Sequence, residues 1–147
     1  MPSNPDYKDL FSILNEEKVD YLVVGAHAVI YYTEPRFTKD LDILIRPTRV
    51  NAEKVWRALK RFGAPLRDIT VDDFIREDTV YQIGIAPNRI DVLMCLGGVN
   101  FEEAWADREH AAYDGIPIAI IGKSKLIKAK KFTGRPQDLL DVEKLEA

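Results

Sequence analysis

The most informative stretch of this sequence is Thr38-Lys39-Asp40-Leu41-Asp42-Ile43-Leu44-Ile45, which predicts a β-strand over residues 39–46. Side chains alternate between the two faces of a strand, so Asp40 and Asp42 would share the face opposite Leu41 and Ile43. Two adjacent carboxylates repel each other, and burying them is costly unless a cation neutralises them. Hard oxygen ligands suit Mg²⁺ or Mn²⁺, so this stretch predicts a divalent-metal site. On an exposed strand end, such a pair is more often solvated or paired with lysine.

A second predicted strand supplies a third carboxylate. In Arg89-Ile90-Asp91-Val92-Leu93-Met94, alternation puts Asp91 on the face opposite Ile90 and Val92. If this strand lies beside the first, Asp91 points at the same site. Three carboxylates can hold two metal ions about 3.5–4 Å apart, the arrangement that serves in-line phosphoryl displacement. We therefore assign Asp40, Asp42 and Asp91 as metal ligands and as catalytic residues.

A glycine-ended strand precedes the acid pair. Tyr21-Leu22-Val23-Val24-Gly25 predicts a short buried strand, and residues 26–32 predict a helix that stops before Pro35. A strand that turns into a helix at glycine offers free backbone N–H groups and a positive helix end, both of which suit phosphate. The alternative is an ordinary strand-to-helix turn without a ligand.

Five residues around this turn and the acid pair are candidate nucleotide ligands. Gly25 and Ala26 would bind phosphate through the backbone, and His27 through its ring. Arg36 and Lys39 flank the acids and would neutralise phosphate charge. The alternatives are a core or surface role for His27 and simple solvated ion pairing for the two cations.

The rest of the chain alternates between helical and strand patterns. Apolar residues at helical spacing predict helices over residues 7–17 and 48–62, the second of which ends at Gly63. Further predicted elements are a short helix over 71–75, strands over 79–86 and 88–96 joined at Pro87-Asn88, a helix over 101–109, a hairpin at Asp114-Gly115, and helices over 123–132 and 136–145. This order predicts an α+β fold with a mixed sheet, helices mainly on one face, and a single domain over residues 1–147.

The composition is that of a soluble globular protein. The 147 residues are 46% hydrophobic and 31% charged. Their net charge of -3 argues against strong sequence-independent binding to nucleic acid. Cys95 is the single cysteine, which excludes an intramolecular disulfide, and its apolar surroundings predict a buried position. The polar N-terminus does not resemble a signal peptide, and no apolar run approaches the ~20 residues of a membrane span. We therefore expect a cytoplasmic protein without membrane contacts.

Three motifs together resemble the DNA polymerase beta nucleotidyltransferase superfamily. They are Val23-Val24-Gly25-Ala26-His27-Ala28, Arg36-Phe37-Thr38-Lys39-Asp40-Leu41-Asp42-Ile43 and Arg89-Ile90-Asp91-Val92-Leu93. Within that superfamily the chain is most similar to small bacterial members akin to abortive-infection toxins. Those also carry a C-terminal lysine helix followed by arginine-proline and spaced acids, found here over residues 123–130 and 134–141. The resemblance covers residues 21–145.

The resemblance implies a sheet that carries all three acids, an NTP donor, and Mg²⁺ or Mn²⁺ as the cofactor. It also implies that the lysine helix faces the triphosphate, where Lys125 and Lys128 would lie on one helical face. A solvated amphipathic helix is the alternative. One departure stands out, because the family usually has Gly-Ser or Gly-Gly where this chain has Gly25-Ala26. The missing hydroxyl removes one phosphate contact.

The leading functional hypothesis is transfer of a nucleoside monophosphate from NTP to a hydroxyl of a nucleic-acid end, a protein or a small molecule. A chain of 147 residues leaves little room for the template-gripping regions of polymerases. The alternative is a weakly active or inactive nucleotide-binding member that serves as a toxin–antitoxin or regulatory component. A third hypothesis is a protein that only binds other proteins, in which the three carboxylates match the metal-site pattern by coincidence. The sequence names neither the base, the acceptor nor the oligomeric state.

Overall fold

A computed structural model describes residues 4–38, 40–84 and 88–147. Its elements are α1 (Pro5–Glu16), β1 (Tyr21–Val24), α2 (Gly25–Tyr32), β2 (Asp40–Ile45), α3 (Arg49–Phe62), a single 3-10 turn (Val71–Phe74), β3 (Val80–Ile83), β4 (Arg89–Leu93), α4 (Phe101–Ala106), β5 (Glu109–Tyr113), β6 (Ile116–Ile120), α5 (Lys123–Thr133) and α6 (Pro136–Glu146). The strands predicted over 79–86 and 88–96 are both shorter than expected. The predicted Pro87-Asn88 turn includes a residue outside the described ranges.

The strands form one sheet in the order β3-β4-β2-β1-β6-β5. Pairing is parallel between β2 and β4 and between β1 and β6, and antiparallel between the other neighbours. The predicted α+β class with a mixed sheet is thereby confirmed.

One face of the central strands forms the hydrophobic core. Leu41 and Ile43 are buried on this face, as the strand alternation predicts. Helix α1 packs against it, with the Phe11 ring stacked on the Tyr21 ring at a centroid distance of 6.0 Å. Apolar burial on this face therefore fixes which side chains of β2 must point the other way.

The opposite face of β2 and β4 is bordered by the hairpin of α5 and α6. Gly134, in the left-handed region at a φ of 65°, ends α5, and Pro136 begins α6. Leu126 and Ala129 are buried on the side of α5 that faces the sheet. The hairpin leaves a cavity between itself and the sheet.

Asn51 ties α3 to the sheet through both ends of its buried amide. Its Nδ2 donates to the carbonyl oxygens of Asp20 and Arg46, each at 3.0 Å, and its Oδ1 accepts from the backbone N–H of Asp20 at 2.8 Å. These bonds join the start of β1 to the end of β2, so they help to hold the two strands in register.

Cys95 is exposed, which corrects the expectation that it is buried. The reason is that β4 ends at Leu93, so Cys95 lies in the loop beyond the strand and not within its apolar run. Among the described residues, no helix combines the length and apolar character that crossing a membrane requires.

Candidate active site

The strand register brings the three predicted carboxylates to one place on the sheet. Asp42 on β2 pairs directly with Asp91 on β4, and Asp40 lies two residues earlier on the same face of β2. Neighbouring strands are only about 4.8 Å apart, so the side chains of the pair lie next to each other. Asp91 is 7% exposed, and Asp40 and Asp42 are partly buried. Three acids thus share one partly enclosed patch.

The environment of Asp42 disfavours its negative charge. Burial, together with the nearby charges of Asp91 and Asp40, raises the pKa of the Asp42 carboxyl to about 7, although Arg89 acts in the opposite direction. A divalent cation at this position would relieve both the desolvation and the repulsion. The positive charge of Arg89 therefore does not fully offset the burial and repulsion that Asp42 experiences.

The raised pKa of Asp42 makes the stability of the metal-free protein dependent on pH. An acid whose pKa is higher in the folded than in the unfolded chain stabilises the folded state. This stabilisation is complete at pH values below the pKa of the unfolded chain, and it is lost as the pH rises through the pKa of the folded chain. Relative to Asp42→Asn, we expect the free energy of unfolding of the wild type to fall by on the order of 2–4 kcal/mol between about pH 4 and pH 8. Denaturant titrations in EDTA at both pH values measure this difference. A gap that stays constant with pH would contradict it.

Gly25 is required where β1 turns into α2. Its φ is +66°, and a Cβ placed on it would lie 2.2 Å from Oδ2 of Asp42. That contact is far below van der Waals separation, so no other residue fits without moving the carboxylate. Gly25 therefore positions Asp42, in addition to the predicted role of its backbone near phosphate.

Ala26 lines the cavity beside the acids, whereas His27 does not. The His27 ring meets the Tyr7 ring edge to face at 5.6 Å, and it lines a second, apolar cavity of about 350 Å³. Burial lowers the pKa of His27, which favours the neutral ring. Its buried Nε2 has no hydrogen-bond partner among the described residues. The structure thus places this predicted phosphate ligand away from the three acids.

The cavity over the acids has a volume of about 690 Å³. Its floor is the acid-bearing face of β2 and β4, and its wall is the α5–α6 hairpin. The polar and charged residues that line it are Arg36, Asp40, Asp42, Gln82, Arg89, Asp91, Lys130, Thr133, Arg135, Gln137, Asp138 and Asp141. A cavity of this size suits a drug-sized or nucleotide-sized ligand.

Two buried carboxylates hold the cations of the cavity wall in place. Asp141 is fully buried and accepts from Nη1 of Arg36 at 2.6 Å and from Nζ of Lys130 at 3.1 Å. Asp138 accepts from Thr133 Oγ1 at 2.7 Å and from Arg135 Nε at 2.8 Å. The wall therefore presents three cations opposite the acids of the sheet.

Hydrogen bonding keeps Asp138 ionised in spite of its burial. Burial alone would raise its pKa, but hydrogen bonds from Arg135, Thr133 and Lys130 outweigh burial and hold the pKa well below its usual range. Asp138 and Asp141 thus both pair with nearby cations.

The ion network at Asp141 predicts a large loss of stability on truncation. Asp141→Ala leaves Arg36 without its buried partner and removes one of the two buried partners of Lys130, which we expect to lower the free energy of unfolding by about 3–5 kcal/mol. Lys131→Ala is the matched control, because Lys131 pairs with Glu146 with both side chains about half exposed. Its loss should cost under about 1 kcal/mol. Equal effects in denaturant titrations would contradict the assignment.

Two further predicted nucleotide ligands, both on α5, fall outside this arrangement. Lys125 and Lys128 are not among the cavity residues, and Lys125 pairs instead with Asp107 at 2.9 Å. Lys39 lies outside the described residues. The lysine of α5 that faces the cavity is Lys130, one helical turn after buried Leu126, and the i,i+4 spacing places both on one side of the helix.

The donor chemistry of the three acids fits a divalent cation, but the carboxylates are arranged around an arginine. Among the residues that the structure describes, no three His, Cys, Asp or Glu side chains are placed as they stand to hold a metal ion. The guanidinium of Arg89 donates hydrogen bonds to both carboxylate oxygens of Asp91, from Nε at 3.1 Å and from Nη2 at 3.0 Å. A metal held by the three acids would therefore compete with Arg89 for these oxygens.

Solved structures share this arrangement of strands and helices. The lincosamide antibiotic adenylyltransferase LnuA, solved with lincomycin bound, is 15% identical to this chain with a TM-score of 0.61, over 99% of this chain and 97% of LnuA. The chain has the nucleotidyltransferase fold. A candidate nucleotidyltransferase from Thermotoga maritima gives 16% identity and a TM-score of 0.61, over 97% of this chain and 94% of the other.

A third protein with the nucleotidyltransferase fold is ANT(2'')-Ia, solved in complex with adenylyl-2''-tobramycin. It is 12% identical to this chain with a TM-score of 0.58, over 95% of this chain and 84% of its own. No protein-family model matches the chain, and no curated protein sequence matches it significantly. The similarity to abortive-infection toxins remains a prediction from the sequence motifs.

Proposed function

We propose that this chain is a metal-dependent nucleotidyltransferase that moves a nucleoside monophosphate from NTP to an acceptor hydroxyl. The observation that carries the proposal is the set of Asp40, Asp42 and Asp91 on adjacent parallel strands at the floor of the 690 Å³ cavity. Its fold is shared with LnuA, which is described as an adenylyltransferase, and this supports the same class of chemistry.

The three carboxylates would hold Mg²⁺ or Mn²⁺. When bound, such an ion neutralises the charge that develops on the transferring phosphoryl group and lowers the pKa of the attacking hydroxyl. The raised pKa of Asp42 supports this assignment, because it reflects burial and neighbouring negative charge, and a cation would offset both. Gly25 keeps the Asp42 carboxylate in place through its lack of a Cβ.

The triphosphate would lie between the acids and the cations of the cavity wall. Arg36, Lys130 and Arg135 line the cavity and provide positive charge for the phosphate oxygens. The start of α2 at Gly25 and Ala26 adds backbone N–H groups and the positive end of the helix dipole. Lys39 precedes the acid pair in sequence and remains a further candidate for this role.

A hydroxyl-bearing small molecule is the first acceptor to test. LnuA was solved with lincomycin, and ANT(2'')-Ia with an adenylylated tobramycin, so related folds take acceptors of this class. The cavity is large and partly apolar, with Leu93 and Leu96 on its lining, which leaves room for an acceptor beside the nucleotide. RNA ends and protein hydroxyls are the other candidates.

The test is a transfer assay with each of the four α-labelled NTPs, Mg²⁺ or Mn²⁺, and three acceptor sets: aminoglycosides and lincosamides, small-molecule extract, and RNA with protein lysate. We expect label to pass to one set with release of pyrophosphate, and EDTA to stop it. NTP binding without pyrophosphate release would favour the alternative, a regulatory or toxin–antitoxin component. Absence of both binding and transfer would overturn the proposal.

A further inference from the structure

Arg89 is a cation of the cavity whose partners are the proposed metal ligands themselves. Its Nε donates to Oδ1 of Asp91 at 3.1 Å, and its Nη2 donates to Oδ2 of Asp91 at 3.0 Å. The same Nη2 lies 3.4 Å from Oδ2 of Asp40. The strand period places Arg89 two residues before Asp91, on the same face of β4.

The cations of the wall are held differently. Arg36 and Lys130 bind Asp141, which is fully buried and belongs to α6. Arg135 binds Asp138, also on α6. These groups can stay with their partners while the three acids of the sheet bind a metal. Arg89 differs from them, because its guanidinium bonds to the Asp91 oxygens and approaches the Asp40 oxygen that a metal would use.

A change of protonation cannot relieve this competition. A guanidinium stays charged at any physiological pH, so Arg89 cannot release Asp91 by losing a proton. It must swing away, and its side chain is 36% exposed, with an open cavity beside it. A triphosphate in that cavity offers the paired oxygens that a guanidinium binds in bidentate fashion.

We propose that Arg89 is an internal counter-ion of the three acids. It weakens their binding of a divalent cation until the triphosphate of an NTP binds and accepts the hydrogen bonds of the guanidinium. The inference rests on the proposed function and adds a binding order to it: metal alone binds weakly, and metal and NTP bind together. Arg89 is thus a positioning residue for the ligand site, and the coupling is a property of affinity, reciprocal between metal and nucleotide.

The experiment measures Mn²⁺ affinity of the full chain by electron paramagnetic resonance, with and without a non-hydrolysable NTP analogue. For the wild type, we expect the analogue to tighten Mn²⁺ binding about 10-fold or more. Arg89→Gln should tighten Mn²⁺ binding about 10-fold without the analogue and lose most of the effect of the analogue. Arg89→Lys keeps the charge but loses the bidentate geometry of the guanidinium. Its Mn²⁺ affinity without the analogue should lie between those of the wild type and Arg89→Gln.

Arg135→Gln is the matched control, because it removes the same charge from the same cavity while leaving the contacts of Arg89 intact. In the absence of the analogue, we expect it to change Mn²⁺ affinity less than about threefold. An equal gain in both variants would show a general charge effect and overturn the inference. Unchanged or weaker Mn²⁺ binding in Arg89→Gln would also overturn it, while the metal site itself would stand. Absence of Mn²⁺ binding in every variant, with the analogue present, would overturn the proposed function as well.

Discussion

Asp42→Asn is expected to lower nucleotidyl transfer by at least about 1,000-fold, because loss of a metal-ligand carboxylate removes several kcal/mol of transition-state stabilisation. Asp42 is the middle of the site: it pairs with Asp91 across the strands and lies against Gly25. Asparagine has the same shape but no charge, so the fold should be retained. Steady-state rates with the acceptor identified by the transfer assay measure the effect.

Asp72→Asn is the control for that substitution. Asp72 is an exposed carboxylate that pairs with Arg49 at the start of α3, outside the cavity lining. It should leave the transfer rate unchanged. Retention of more than about a tenth of the wild-type rate by Asp42→Asn would contradict the assignment of the carboxylates.

Gly25→Ala is expected to lower transfer at least about 100-fold, because a misplacement of about 1 Å in a catalytic group costs that much. Two effects combine. The positive φ of Gly25 costs an L-residue about 1–2 kcal/mol, and the new Cβ would lie 2.2 Å from Oδ2 of Asp42. The backbone cost affects stability, whereas the clash displaces the carboxylate and affects activity.

Gly63→Ala separates these two effects. Gly63 also has a positive φ, of +91°, but a Cβ on it would have no heavy atom within 4 Å. We expect a similar loss of stability in thermal melts for this variant, with transfer unchanged. Full activity in Gly25→Ala, or an equal loss of activity in both variants, would show that the contact with Asp42 has no role.

The shared face of the three acids could be predicted because the period of a strand is two and one face of β2 is apolar. Because Leu41 and Ile43 are buried on the core face of β2, Asp40 and Asp42 must point to the opposite face. The same reasoning placed Asp91 correctly on its own strand. That β4 would lie beside β2 was an assumption, which the parallel pairing of the two strands bears out.

The cations were harder to predict, because helix phase and strand register depend on tertiary packing. Choosing among the lysines of α5 requires the side that packs towards the sheet, which buried Leu126 and Ala129 define only once the hairpin is placed. Arg89 could be assigned to the acid face from the sequence. Its approach to Asp40 follows from the pairing of those two residues across the strands, which the sequence does not contain.

Calorimetric binding of a non-hydrolysable NTP analogue tests the central claim most directly. The wild type should bind the analogue in the presence of Mn²⁺, bind it much more weakly in EDTA, and lose the metal-dependent part in Asp42→Asn. Binding that is indifferent to metal and to Asp42→Asn, or no binding at all, would contradict the claim that the three acids form a metal and nucleotide site.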